Sequence, residues 1–553
     1  MAIDVTSLTN RRASDRWDRV AVGDMWERIT WSYPDKEALV AREGACAYPE
    51  NHRLTYREAD ELANRCANAM LARGLERGDR VLIYCENSVE AYVAKIAIAK
   101  AGLVSAPLNP MLAPDVVTHL IERVEPKLAI VDDELWPKIE SAFADANLEP
   151  AVTIPIEGWT VPGTVEFSEF VAAQPASEPE VEIHGDDIWE IIFTSGTTAM
   201  PKGAMVSHSY SYFGAYSFAL TLTRGIPFEC DLKLVAFLPL VYHIADQIFS
   251  LPAWLCGGTL VIGRKHDAAG IARAVAEEDA TALWSGSPAM LEELAKELEA
   301  APELDASGLK VAIFGWTAIP PELVERLKRL TSPELNVCEI LGQTEAISCF
   351  RFWPDKWPET FAAKAPALNY VGVPNPLLAS KIVDEEGNSL EGTVGEPGEV
   401  VYRSPVLTPG YYLDEDATRE AFRDGWFHSG DVCMYDEEGL RIMVDRSKDM
   451  IKSGGENVST LRVETILRSH PEILKAAVVG LPHERWGEAV TAIVVAEEGG
   501  DPDPDEVMAF CRERLAGYES PKGVLVVEEL PETVGGKVLK YKLRVAHAGF
   551  YES

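Results

Sequence analysis

A chain of 553 residues with 47% hydrophobic and 25% charged side chains has the composition of a soluble globular protein, and it is too long for one simple core, so at least two domains are expected. Its 88 acidic residues outnumber 51 basic ones for a net charge of −37, which excludes nucleic acid and anionic membrane as general partners and obliges any nucleotide site to carry its own local cations. Residues 1–19 hold no apolar signal core, no apolar run is long enough to span a bilayer, and the nine cysteines lack C-x-x-C or zinc spacing, so a reducing cytoplasm is the expected compartment.

From Trp26 to about Asp132, helical and strand patterns alternate. Leu54-Thr55-Tyr56-Arg57-Glu58 opens an amphipathic helix, with Ala59, Leu62, Ala63 and Cys66 at helical spacing. Gly78-Asp79 turns into a strand over 80–84, a second helix covers 89–101, and a further strand ends at Val131. Such alternation predicts a parallel sheet with helices on both faces. Residues 134–185, rich in Pro, Glu and Ala, read as an irregular surface excursion. Strands follow over 234–238, 259–262, 282–284, 311–314 and 337–341, with helices over 288–300 and 320–330, each opened by a proline in an early-helix position. Short strands with Gly/Pro turns over 375–435 predict a small β subdomain, and 449–553 a compact mixed tail with strands at 476–479 and 492–495.

The densest chemistry lies in Thr194-Ser195-Gly196-Thr197-Thr198-Ala199-Met200-Pro201-Lys202-Gly203, entered from the apolar run Ile191-Ile192-Phe193. Glycine lets backbone N–H groups turn toward a polyanion, Ser and Thr hydroxyls add donors, and Lys202 adds a point charge suited to phosphate. A generic Ser/Thr/Gly cluster is more often a polar turn, and no Gly-Lys-Ser/Thr opens a helix here, so this is not a Walker A loop. Further segments stand at the ends of expected strands, where ligands gather in open parallel sheets. They are Leu238-Pro239-Leu240-Val241-Tyr242-His243, Phe314-Gly315-Trp316-Thr317-Ala318-Ile319-Pro320 and Leu341-Gly342-Gln343-Thr344-Glu345-Ala346. Later come Trp426-Phe427-His428-Ser429-Gly430-Asp431, the charged run from Asp445 to Asn457, and Pro531-Glu532-Thr533-Val534-Gly535-Gly536-Lys537. Taken singly, each has an ordinary explanation: a packed histidine, a core tryptophan, a solvated glutamate, a turn aspartate, a charged surface, an exposed lysine.

In order and combination, over roughly residues 20–545, these stretches resemble the adenylate-forming superfamily of acyl-CoA synthetases, luciferases and peptide-synthetase adenylation domains. The resemblance implies an α/β fold. A large N-terminal domain of two doubly wound sheet subdomains and a small β subdomain would span 1–445, a hinge 446–448, and a small mobile α+β domain 449–553. It implies that Thr194, Ser195, Gly196, Thr197, Thr198 and Lys202 hold the phosphates of ATP, while Thr194 and Glu345 offer hard oxygens to Mg²⁺. Thr344 would contact the α-phosphate; Thr317, Ala318, Gly342 and Gln343 would flank adenine. Asp431 would accept both ribose hydroxyls, with Arg446 and Lys452 reaching the nucleotide. His243, Trp316, Gly342 and Ser348 would wall an acyl pocket in which His243 acts as a steric gate. Lys448 falls at the hinge, and Gly454-Gly455 would bring backbone close to the pantetheine of CoA. Lys537, the last of the catalytic set Lys537, Thr194, Glu345 and His243, would bridge acid and α-phosphate where charge builds.

Three positions depart from the family pattern: Ala199 and Trp316 where Gly is usual, and Leu341 where an aromatic stacks on adenine. The implied activity is a two-step ligation, a carboxylic acid giving acyl-AMP and pyrophosphate, and a thiol, CoA foremost, then releasing AMP. The departures leave open a carrier-protein thiol, an amine or nitrite as acceptor, and, in another class, a catalytically silent binding protein. The bulk of Trp316 points toward a small, short or aryl acid, and a homodimer is the family-level expectation.

Overall fold

The computed structural model describes residues 19–42, 44–194, 201–453, 456–532 and 537–551, apart from the side chains of 246, 348 and 349. Three sheets organise them. The first is a seven-stranded sheet in the order Val165–Glu166, Val152–Ile154, Leu128–Asp132, Arg80–Tyr84, Val104–Pro107, Ile188–Thr194, Lys202–Ser207. All its pairs are parallel except the last, a hairpin. Strands such as Leu128–Asp132 are buried at every position, which is why they read as continuous apolar runs.

The second sheet runs through fourteen strands. Its parallel core places Glu37–Arg42, Thr259–Gly263, Lys233–Ala236, Ala282–Gly286, Val311–Gly315 and Asn336–Gln343 side by side. From there Ala346–Phe352, Asn369–Pro374, Arg441–Arg446, Trp426–Tyr435, Gly398–Arg403 and Ala379–Val383 extend it antiparallel. The expected β subdomain is therefore present as strands, hydrogen-bonded without a break onto the large sheet. The third sheet, Glu456–Val458, Ile451–Ser453, Gly487–Ala496 and Ile473–His483 with Gly523–Val527, belongs to the tail and has its own buried core around Val463, Val478 and Val494.

Local chemistry explains the helix starts. Tyr56–Ala72 begins behind a capping box in which Thr55 and Glu58 satisfy each other's backbone N–H groups. Pro288–Ala300 begins behind Ser287, which accepts from Met290 N, with proline in the first turn. The reading of 134–185 as irregular is corrected. The segment holds helix Trp136–Asp145, strands Val152–Ile154 and Val165–Glu166, which widen the first sheet, and helix Phe167–Ala172. Strands of two and three residues are too short to display a period.

Polar side chains clamp the two large sheets together at their carboxyl ends. Arg264, just past Thr259–Gly263, reaches Asp132 and Glu134 at 2.5 Å each. The Asn87 amide donates to Leu238 O (3.0 Å) and Gly263 O (3.1 Å) and accepts from Leu240 N (2.8 Å). The eight described cysteines are free thiols, mostly buried, and among the described residues no helix is long and apolar enough to cross a membrane.

Candidate active site

Parallel pairing of Val311–Gly315 with Asn336–Gln343, in register Gly315 to Ile340, sets the turn carrying Trp316, Thr317 and Ala318 beside Gly342, Gln343 and Thr344. The next pairing, Gln343 opposite Ala346, makes Thr344-Glu345 the two-residue tip of a hairpin. Two bonds hold that tip: Tyr210 OH donates to Thr344 O and Thr408 N to Glu345 O, both 2.7 Å. Thr344 Oγ1 lies 2.8 Å from His243 Nδ1. His243 Nε2 and Gln343 Nε2 are buried without a hydrogen-bond partner among the described residues, polar atoms that a ligand can satisfy. Burial, and then the nearby Lys537 charge, hold His243 down to about 3, so at neutral pH it is uncharged.

Directly after His243 the chain forms a π-helix, Ile244–Ser250, a geometry that recurs at functional positions. A buried polar network anchors it. Gln247 Nε2 donates to Glu190 Oε2, Gln247 Oε1 accepts from Ser211 Oγ, and Lys95 Nζ pairs with Glu190 Oε1, each at 2.5 Å.

The phosphate-loop candidate bridges an antiparallel pair, with Thr194 opposite Lys202 and Thr194 Oγ1 donating to Lys202 O at 3.4 Å. Ser195, Gly196, Thr197, Thr198 and the departure at Ala199 lie outside the described residues, as does the side chain of Ser348. Lys202 Nζ sits 5.1 Å from the centre of the Tyr411 ring, and Tyr411 OH donates to Glu345 Oε1 at 2.7 Å. The cation and the carboxylate expected at the phosphates thus meet on one tyrosine. Among the described residues no three His, Cys, Asp or Glu side chains gather as a metal cage. The donor set fits Mg²⁺ held by a carboxylate and substrate phosphates, the usual way this ion is bound.

Asp431 and Arg446 face each other across Trp426–Tyr435 and Arg441–Arg446, Arg446 Nε standing 3.0 Å from Asp431 Oδ1. Asp431 is fully buried, and its two carboxylate oxygens accept no hydrogen bond from the described residues. That is an arrangement suited to a vicinal diol. Lys537 comes into this group from the far end of the chain. Arg446 first, then burial and Lys448, hold it down to about 7, with Asp431 and Asp449 opposing. The short helix Lys540–Ala546 follows at once. Its Lys540 pairs with Glu464 (2.8 Å) and its Arg544 with Asp449 (2.5 Å), beside Lys448. Lys448 itself is exposed, and Lys452 presents an exposed side chain from Ile451–Ser453, its backbone N–H held by Glu488 (2.8 Å); no hydrogen bond or ion pair among the described residues brings the Lys452 side chain into the cluster. Gly454 and Gly455 lie outside the described residues.

Trp316 is half-buried at φ +73°, the left-handed region where glycine is at ease and an indole is not. Its ring tilts against Trp284 (5.8 Å), which stacks on Phe249 (4.5 Å, 14°). Gly286 lets it lie close, since a Cβ there would stand 3.2 Å from Trp316 Cζ3 and 2.5 Å from Met290 Sδ. The result is an aromatic wall between the turn and the π-helix. The sequence did not single out Tyr411, Tyr210 or Gln247. Only Pro409-Gly410 before two tyrosines hinted that backbone there turns sharply.

Known proteins are similar to this chain over most of its length. The profile of the AMP-binding enzyme family matches residues 26–412 and that of the AMP-binding enzyme C-terminal domain residues 462–537. The long-chain-fatty-acid–CoA ligase FadD13 of Mycobacterium tuberculosis is 32% identical over 94% of this chain and 98% of its own. A feruloyl-CoA synthase of Amycolatopsis is 31% identical over 93% and 98%. The crystal structure of ATP-bound MatB from Rhodopseudomonas palustris superposes with a TM-score of 0.81 at 27% identity, covering 96% of this chain and all of that one.

Proposed function

The chain belongs to the AMP-binding enzyme family, among the acyl-CoA synthetases of the adenylate-forming superfamily, and from that premise we propose how its residues divide the work of an ATP-dependent acid–CoA ligase. In the first half-reaction a carboxylate attacks the α-phosphate of ATP, pyrophosphate departs and an acyl-adenylate forms. Asp431 holds the ribose hydroxyls and Arg446 orients that carboxylate. Lys202, with the hydroxyls and N–H groups of the loop it closes, holds the outer phosphates. Thr344 and the uncharged His243 border the reacting carboxylate. Glu345, with Thr194, would hold Mg²⁺, which when bound would supply charge neutralisation for the polyphosphate. Lys537 places an ammonium where charge grows in the transition state.

The observation that carries this proposal is the facing pair Asp431–Arg446 at 3.0 Å, with the tail's Lys537 near enough to feel the charge of both. In the second half-reaction the tail, 449–553, turns about Lys448, removes Lys537 and brings the Gly454-Gly455 segment to the opening, so that the CoA thiol displaces AMP. The two relatives compared above are named for CoA, which favours CoA over a carrier thiol, an amine or nitrite. We assign the acid to a compact or aryl class, because Trp316, Trp284 and Phe249 occupy the space a long chain would need.

The test is a panel of short, aryl and long-chain acids, with pyrophosphate and AMP release followed with and without CoA. The proposal expects acid-dependent pyrophosphate release, and sustained AMP release only with CoA. Pyrophosphate release from no acid in the panel would refute it, and a preference for long chains would refute the acid class alone.

A further inference from the structure

Tyr411 lies on the irregular segment between Gly398–Arg403 and helix Glu415–Ala421, and that segment is stitched to both halves of the polyphosphate site. On one side it pairs with the strand leaving the phosphate loop. Ala204 bridges Tyr411, Tyr412 N donates to Gly203 O (2.7 Å), and Met205 N donates to Gly410 O (3.1 Å). On the other side Ala346 bridges Leu407 and Thr408 N donates to Glu345 O (2.7 Å). Tyr411 N is itself fixed by Thr418 Oγ1 (2.9 Å), and Gly410 can approach Thr418 because a Cβ there would stand 2.7 Å from Thr418 Cγ2.

From that braced backbone one side chain serves two charged groups. The hydroxyl donates to Glu345 Oε1 (2.7 Å), and the ring lies under Lys202 Nζ (5.1 Å). Because the hydroxyl's one proton is committed to Oε1, Glu345 keeps a fixed orientation and offers its remaining lone pairs elsewhere.

We propose that Tyr411 is a positioning residue that sets Glu345 for the divalent cation and Lys202 for the outer phosphates, coupling the two through a single phenol. This rests on the assignment of Glu345 as the cation ligand made above. Among the described residues the hydroxyl bonds Glu345 alone, and the backbone bonds of the segment remain without it. The substitution Tyr411→Phe therefore removes only the orienting bond, while Tyr411→Leu also removes the ring beneath Lys202.

The probes are Mn²⁺, titrated by its electron paramagnetic resonance signal in the presence of a non-hydrolysable ATP analogue, and the analogue alone, titrated by calorimetry. Both run below the melting temperature of each variant. Tyr411→Phe is expected to weaken Mn²⁺ binding about ten-fold, as loss of a hydrogen bond to a charged group does, and to leave metal-free analogue binding within about two-fold. Tyr411→Leu is expected to weaken the metal-free analogue as well. Unchanged Mn²⁺ affinity in Tyr411→Phe, or parallel loss of metal and metal-free nucleotide binding in that variant, overturns the positioning role. Glu345→Gln separates the two levels. If it leaves Mn²⁺ affinity intact, the cation assignment fails; if it weakens Mn²⁺ and Tyr411→Phe does not, only the role of Tyr411 fails.

Discussion

Asp431 and Arg446 occupy opposed positions on neighbouring antiparallel strands, 3.0 Å apart, with the carboxylate sealed from solvent and unbonded by any described hydrogen-bond donor. A buried carboxylate that has one charge partner and two idle oxygens costs stability unless a ligand uses it. Asp431→Asn is therefore expected to weaken AMP and ATP binding by about 10- to 100-fold while leaving the melting temperature nearly unchanged. Asp431→Ala strands Arg446 and should cost about 3 kcal/mol of stability as well. Calorimetric titration with AMP and thermal melting check both arms.

The role proposed for Lys537 separates the two half-reactions. Lys537→Ala is expected to lower ATP–pyrophosphate exchange by about 10²- to 10³-fold, the size of loss seen when one transition-state donor is removed. Thioester formation from supplied acyl-adenylate and CoA should stay within about three-fold, since no transition-state donor is lost in that step. Equal loss in both assays would contradict the division of labour.

The same lysine predicts a pH dependence. With its pKa held near 7 by Arg446, burial and Lys448, Lys537 is charged below that pH and neutral above it. Its role needs the charge, so kcat/KM for ATP in the exchange assay, which reports the free enzyme, should fall as pH rises through about 7, approaching ten-fold per unit. An ordinary lysine would hold its charge to about pH 10. Lys537→Arg should remove the inflection from whatever activity remains; persistence of the fall in that variant assigns it to another group.

Trp316 sets strain against packing. Its φ of +73° costs roughly 1–3 kcal/mol, and a half-buried indole contributes stability of similar size. Trp316→Gly should thus shift stability by no more than about 2 kcal/mol in either direction, while longer acids enter the space it leaves. Thermal melting and the acid panel read the two effects separately. A longer-chain preference that fails to appear shows that the wall lies elsewhere.

The ion pair Lys95–Glu190 is buried at 2.5 Å beneath the π-helix that follows His243. Glu190→Ala leaves a buried ammonium and an undone Gln247 contact and is expected to destabilise by about 3–5 kcal/mol. Glu190→Gln should recover much of that. Denaturant unfolding of the two variants distinguishes them.

Where burial on both faces makes a strand apolar, as over 81–84 or in Val311–Gly315, the sequence displayed it, and Pro288 marked the start of its helix to the residue. Val152–Ile154 and Val165–Glu166 stayed hidden because so few residues carry no pattern. In the site, groups adjacent in the chain, such as Thr344 and Glu345, were legible as a motif. Tyr411 was not: it meets Glu345 across 66 positions of sequence. A hydrogen bond of that span leaves no local trace. Likewise Lys95 and Glu190 look like two surface charges until the fold buries them against each other.

The bonds around Lys448 have a mechanical meaning. Ser459 Oγ grips Val444 O (2.6 Å) and Thr460 donates twice to Asp445 Oδ2 (2.6 and 2.7 Å), spanning the would-be pivot, while Arg544 ties the helix behind Lys537 to Asp449 just past it. With axle and crank pinned to one piece, the rotation proposed above would carry the ammonium out of the cleft together with its helix, and would work against the Thr460–Asp445 bonds. In the proposed cycle this arrangement would serve the adenylation step, before the thiol takes its turn.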